Sequence, residues 1–249
     1  MTPSLSTLAL IAAAFVLAGA IKGVVGMGMP TIAMSLLSLV MPPVEAAALL
    51  VVPTVATNAW QLFTGPNVAA LSRRFATMMI AICVGTGFGI HWLTGGDSSA
   101  VSLTLGAVLA LYGALGLLSI HFTASPAHER WISPIVGAAT GVLAGATGIS
   151  VVPVVFYVNA LALDKEELIQ SLGLAFTTSS LALAVGLASE NEFSLAIAGA
   201  SLLALIPAVA GMMLGQAVRN RLRPEVFRRW FFAGLLALGI YIAARVLGK

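Results

Sequence analysis

Five stretches of the chain, residues 23–44, 46–72, 75–96, 168–189 and 193–218, contain no Asp, Glu, Lys or Arg. Each is long enough to cross a hydrocarbon core, which takes roughly 20 residues as a helix. With 59% hydrophobic residues, 8% charged residues and a mean hydropathy of +1.04, a water-soluble fold would have too little polar surface to cover itself. The composition is that of an integral membrane protein. Strands of a membrane barrel would alternate polar and apolar residues over about ten positions, a pattern absent here. The polar stretches around 119–131 and 219–230 are too short to bury a core, so no soluble domain is expected. The apolar run at 5–19 could pass for a signal peptide, but it lacks a basic leader and has a counterpart deep in the chain, so it reads as part of the membrane domain.

That counterpart belongs to an internal duplication. The run GAIKGVVGMGMP at 19–30 returns 122 residues later as GVLAGATGISVVP at 141–153, with Gly19, Gly23 and Gly26 falling on Gly141, Gly145 and Gly148. The same displacement carries Glu45 onto Glu167, Leu50 onto Leu172 and Gly89 onto Gly211. Two repeats, 1–122 and 123–249, form one membrane domain. Each contains a broken apolar segment (5–40, interrupted near 22–30; 132–160, interrupted near 145–152) followed by three plain spans. The broken segments are too long for one straight crossing and short for two, so each is expected to be a hairpin of two short helices. Whether the hairpins reach the far side or turn back at mid-depth is left open by the sequence.

Basic residues set the orientation, because short cytoplasmic loops carry the excess of Lys and Arg. If each hairpin returns to its own side, Arg73, Arg74, Arg130, Lys165, Arg219, Arg221, Arg223, Arg228 and Arg229 all face the cytoplasm. Glu45, Asp97, Glu190 and Glu192 then lie outside, with Arg245 and Lys249, and both termini are outside. The two halves are thereby inverted. The expected fold is an all-α polytopic membrane protein of two inverted-topology repeats, each a broken helical hairpin plus three transmembrane helices. The net charge of +3 follows from this loop bias and needs no nucleic-acid partner.

Gly/Pro-interrupted segments at matching positions of two halves point to the binding site of a secondary transporter. Backbone freed from a helix at membrane depth must be buried in protein or line a wet cavity. The ends near Gly26, Met27 and Gly28, and near Gly148, Ile149 and Ser150, would present unpaired N–H groups and a positive helix dipole to an anion. Pro30 and Pro153 suit a first helical turn. Close packing of helices through Gly19/Gly23 and Gly141/Gly145 is the competing role, and the only one assigned to Gly85/Gly89 and Gly211/Gly215. Lys22 is the one basic residue inside a broken segment, so it faces either a cavity or, by snorkelling, an interface; its repeat partner is Ala144. Thr54, Thr57 and Asn58, with Gln61, share one helical face, and Thr177, Thr178 and Ser179 occupy the related span, Thr57 falling on Ser179 and Asn58 on Ser180. These polar residues either surround a ligand or bond helix to helix.

Other chemistry is not indicated. Glu45 and Glu167 read as interfacial first-turn residues favoured by the helix dipole, with a proton- or cation-coupling role as the alternative. His91, His121 and His128 have no metal-ligand spacing, Cys83 has no partner for a disulfide, and no nucleotide or hydrolase motif is present. No cofactor, metal or catalytic residue is assigned.

The two glycine runs, each opening a half of about 120 residues with PTVATNAWQ and AFTTSSLAL downstream, resemble the sulfite exporter TauE/SafE family, also called the toluene sulfonate uptake permeases. The resemblance covers essentially the whole chain. It implies a plasma (inner) membrane transporter of small anions, commonly sulfur oxyanions or organosulfonates, and carries over Gly19, Gly23, Gly26, Gly28, Gly141, Gly145 and Gly148. Met29 and Ser150 depart from the family pattern, which often has glycine there. The expected mechanism is alternating access around an anion held between the two hairpin tips. An anion channel, or a membrane-embedded binding or scaffold subunit, is the alternative. The coupling ion and any homo-oligomer are left open.

Overall fold

The computed structural model describes residues 5–118, 128–161, 163–219, 221 and 224–248. The repeat boundary at 122/123 lies outside them, as do His121, Arg223 and Lys249. The described chain is helical: α1 (Leu5–Val25), α2 (Met29–Leu37), α3 (Pro43–Phe63), α4 (Val68–Arg74), α5 (Ala76–Gly95), α6 (Ser98–Leu118), α7 (Glu129–Thr147), α8 (Val154–Ala160), α9 (Lys165–Ser189), α10 (Leu195–Arg219) and α11 (Pro224–Leu247). Among the described residues seven helices are long and apolar enough to span a membrane: α1, α3, α5, α6, α9, α10 and α11. The protein is therefore a multi-pass membrane protein.

The glycine runs interrupt the chain later than the sequence suggests. The first arm of each hairpin is full-length: α1 has 21 residues and α7 has 19, about 31 and 28 Å, whereas α2 and α8 have 9 and 7. The expectation of two short arms is thus corrected. Gly19, Gly23, Gly141 and Gly145 remain inside helices because each lies where two backbones meet. A Cβ on Gly19 would stand 2.1 Å from the Ala208 carbonyl oxygen, and one on Gly141 2.2 Å from that of Ile82. Within the glycine runs the first arms end where φ turns positive, at Gly26 (83°), Gly28 (91°) and Gly148 (72°), conformations that a side chain would strain.

Those glycine contacts fix the helix pairs. In the α1/α10 pair Gly211 meets Val16 and Gly215 meets Ala20, so the two helices run parallel; in α5/α7, Gly137 meets Met78 and Gly145 meets Ile90, again parallel. The pair α3/α9 is antiparallel, with Asn58 reaching Ser180 while Gln61 reaches Ile169 and Asn67 reaches Glu167. The pair α6/α11 is antiparallel too, Gly106 meeting Ala243 and Gly113 meeting Leu236. Each hairpin's long arm therefore packs on a helix of the other half of the chain.

Polar contacts tie the two ends of the bundle. At one, the Glu45 end, the Ser201 hydroxyl donates to the Leu49 carbonyl (2.8 Å) and accepts from the Val52 amide (3.0 Å), and Arg245 donates to the Leu39 carbonyl at 2.8 Å. At the other, the Arg74 end, Arg74 forms a two-pronged pair with Glu129 (2.7 and 2.8 Å), which raises the guanidinium pKa above its ordinary value. There Gln61 donates to the Ile169 carbonyl at 2.9 Å, Gln170 Nε2 donates to that of Leu62 at 2.9 Å, and the Asn67 backbone amide donates to the side-chain oxygen Gln170 Oε1 at 3.0 Å. The short α4 was not foreseen, because its seven residues end in Arg73 and Arg74 and so read as part of the loop after the first plain span.

Candidate functional site

Asn58 and Ser180 each lie 15 residues beyond the first residue of their helices, α3 and α9. At 1.5 Å per residue this is about 22 Å along each, near mid-depth for two antiparallel spans. The Asn58 amide nitrogen donates to the Ser180 hydroxyl at 3.4 Å. Lys22, in the last turn of α1, shares its buried face with Phe15, Ala18, Gly19 and Gly23 and is only 4% exposed. Its ammonium donates to Thr57 Oγ1 at 3.1 Å and to Asn58 Oδ1. The lysine belongs to the helix before the break and not to the break itself, and it does not snorkel. Its length takes the charge across to α3.

The electrostatics of this cluster are one-sided. Arg74 pairs with Glu129, and the His91 ring lies 3.2 Å from Glu190, whereas the partners of the Lys22 ammonium, Thr57 and Asn58, are both neutral. An ammonium at the centre of a membrane helix costs roughly 2.5 to 3.5 kcal/mol on insertion scales, and two neutral acceptors offset this only in part. Of its three N–H groups two have partners, which leaves one donor for a ligand.

Threonine hydroxyls here donate into their own helices. Thr54 donates to the carbonyls of Leu50 (2.6 Å) and Val51 (3.0 Å), Thr57 to Pro53 (2.7 Å) and Thr177 to Gly173 (2.7 Å). A hydroxyl so engaged offers only lone pairs. Thr57 thus presents a lone pair to the Lys22 ammonium while its own proton goes to the Pro53 carbonyl. Thr54, Thr177 and Ser179 are buried on the same two helices, the last at 2% exposure. Thr178 points elsewhere: its hydroxyl lies 3.1 Å from the Met79 sulfur, beside a groove of about 510 Å³ between α5 and α9 that is lined by Cys83, Leu181 and Val185. Glu167 accepts from Asn67 at 3.3 Å at the Arg74 end.

The two tips differ. At the first, Gly26 and Met27 are half-buried and Gly28 is buried beside Phe231 of α11; a Cβ at Gly26 would meet nothing within 4 Å. At the second, Gly148 lies against Met34 of α2 and Ala47 of α3, and Ile149 and Ser150 are buried. The second tip therefore abuts the flank of the first hairpin. No group of three or more His, Cys, Asp or Glu with metal-binding geometry occurs among the described residues.

Ser180 and Gln61 were seen in the sequence as polar residues of these spans that either surround a ligand or bond helix to helix, and the structure pairs them with Asn58 and with the Ile169 carbonyl. The 122-residue displacement held the signal for the first, since it carries Asn58 onto Ser180, the residue that Asn58 meets. The model of the family described as Sulfite exporter TauE/SafE matches residues 11–242 of the chain. No curated protein and no solved structure matches it.

Proposed function

Because the chain belongs to the sulfite exporter TauE/SafE family, and is therefore a membrane transporter and not an enzyme, we propose that it carries small sulfur oxyanions or organosulfonates by alternating access. The observation that carries this reading is Lys22, a buried cation near mid-depth with neutral partners only. A monovalent or divalent anion supplies the missing countercharge. The substrate rests beside the Lys22 ammonium between the two hairpin tips, Gly26, Met27 and Gly28 on one side and Gly148, Ile149 and Ser150 on the other. Thr54, Thr57, Asn58, Thr177 and Ser179 shape the α3/α9 wall, with Thr57 and Asn58 aiming the lysine.

Two inverted repeats supply the moving parts. Supporting this, α3 and α9 are antiparallel, as are α6 and α11, while α1 packs on α10 in the same manner as α7 packs on α5. Such exchange of long arms lets one half rock against the other around the α3/α9 contact. The Gln61/Gln170/Asn67 bonds seal the Arg74 end, which loop charge assigns to the cytoplasm, with both termini outside. A thermal-shift panel of sulfite, thiosulfate, sulfonates and carboxylates on the purified protein tests the reading, since a ligand confined to the native state raises its stability by mass action. Sulfur oxyanions or sulfonates should raise the unfolding midpoint while carboxylates do less. A flat response across the panel, together with no sulfite flux in proteoliposomes, would refute it.

A further inference from the structure

Four buried side-chain hydroxyls among the described residues have no hydrogen-bond partner: Thr31, Tyr112, Thr140 and Ser171. An unpaired buried hydroxyl costs about 1–3 kcal/mol, so each is short of an acceptor. Tyr112, Thr140 and Ser171 lie beyond the first turn of α6, α7 and α9, where the helix occupies its own amides. Thr31 is different. It is the third residue of α2 and is fully enclosed, at 0% exposure. Side chains on a helix lean toward its N-terminus, so the Thr31 hydroxyl is aimed at the end where the amides of Met29 and Thr31 have no acceptor in their own helix.

That end is built from donors. Its N-cap is Gly28, which has no side chain to accept from the first turn, and no other side chain caps it. The nearest carbonyls are taken: Gly28 O by the Ile32 amide (3.0 Å), Thr31 O by the Ser35 hydroxyl (2.6 Å), and Lys22 O by the Gly26 amide (2.7 Å). Beside it is the open space at Gly26, and Lys22, one turn upstream of Gly26 in α1, extends its ammonium to Thr57 and Asn58 of α3. The second tip lacks these features. There the Ile149 amide donates to Thr147 Oγ1 (3.3 Å), the Val155 amide to the Val151 carbonyl (3.0 Å), and Ala144 stands where the first hairpin has Lys22.

We infer that the anion is seated on the first hairpin alone, its oxygens held by the Thr31 hydroxyl and the first-turn amides of α2, while the second tip serves as a wall. This rests on the anion-transport reading and adds a ligand to it. The amides of the seat only donate, and the Thr31 hydroxyl donates to a ligand that is an acceptor throughout, so the seat favours sulfonates and the sulfite dianion. Bicarbonate or hydrogen phosphate brings a proton whose one acceptor there is the Thr31 hydroxyl, since the two amides accept nothing.

Calorimetric titration of the full chain in detergent with sulfite at pH 8 and with ethanesulfonate tests the seat, using wild type, Thr31→Val and Thr31→Ser. Thr31→Val is expected to raise Kd about tenfold, and Thr31→Ser to stay within about threefold of wild type. The empty Thr31→Val protein should unfold no earlier than wild type, because a methyl replaces an unpaired hydroxyl of the same shape. Unchanged affinity in Thr31→Val overturns the seat and leaves the transport reading standing. Equal loss of binding in both variants, with earlier unfolding of the empty proteins, assigns Thr31 to packing and also overturns it. A wild-type protein that binds neither anion overturns both readings.

Discussion

Replacing Lys22 by Met separates a structural lysine from one that waits for an anion. Methionine keeps the length and flexibility of the side chain, so the α1/α3 contact stays filled. In the empty protein two effects oppose each other. Removing the ammonium relieves an insertion cost of about 2.5–3.5 kcal/mol, partly offset already by its two bonds, and leaves Asn58 Oδ1 without its donor at about 1–3 kcal/mol. Thr57 loses little, since its hydroxyl still donates to the Pro53 carbonyl at 2.7 Å. The net change in stability is therefore expected within about 2 kcal/mol of zero. Binding has no such compensation. The one free N–H of Lys22 makes a charge-assisted bond to an oxyanion worth about 1.5–3 kcal/mol, so Kd should rise about 10- to 150-fold. Calorimetric titration with sulfite gives Kd, and an unfolding curve of the empty protein gives the stability. An unchanged Kd would remove Lys22 from the site. A large loss of stability with Kd intact would make it a strut between α1 and α3.

Three further outcomes follow from the packing. Gly19→Ala and Gly141→Ala push a methyl to 2.1 and 2.2 Å from a carbonyl oxygen of the facing helix, so each should cost about 1–3 kcal/mol by thermal unfolding. Gly199→Ala in α10, where a Cβ meets nothing within 4 Å, should instead be neutral or stabilising by up to about 1 kcal/mol. Gln170→Leu strands the Asn67 amide and the Leu62 carbonyl at a residue 1% exposed, and should cost about 2–4 kcal/mol. In proteoliposomes that variant should also open the Arg74 end more often, read as faster labelling of a cysteine placed at Thr64.

The candidate site was only partly legible in the sequence. The glycine runs, the register between Asn58 and Ser180, and the polar face of Thr54, Thr57 and Asn58 were all visible as spacings. What the spacings could not tell is which glycines bend the chain. Gly23 and Gly26 look alike in sequence, yet Gly23 faces the Met212 carbonyl oxygen inside α1 whereas Gly26 has φ 83°. The choice depends on a neighbour almost 190 residues away. For the same reason Lys22 read as part of the break when it is part of the helix before it, and Thr31 drew no notice, being one hydroxyl in an apolar run.

By itself the sequence determined the solvent and the class. Charge-free runs of about 20 residues without the alternation of a barrel strand satisfy their backbone in lipid as helices, and hydropathy is a local property of a chain. Tertiary structure decided the rest: the partnership of each long arm with the opposite half, the unequal tips, and the meeting of a lysine with two neutral acceptors at mid-depth. Those depend on which backbones approach within touching distance across the bundle, and contact between residues far apart in sequence is set by packing, which no local pattern encodes.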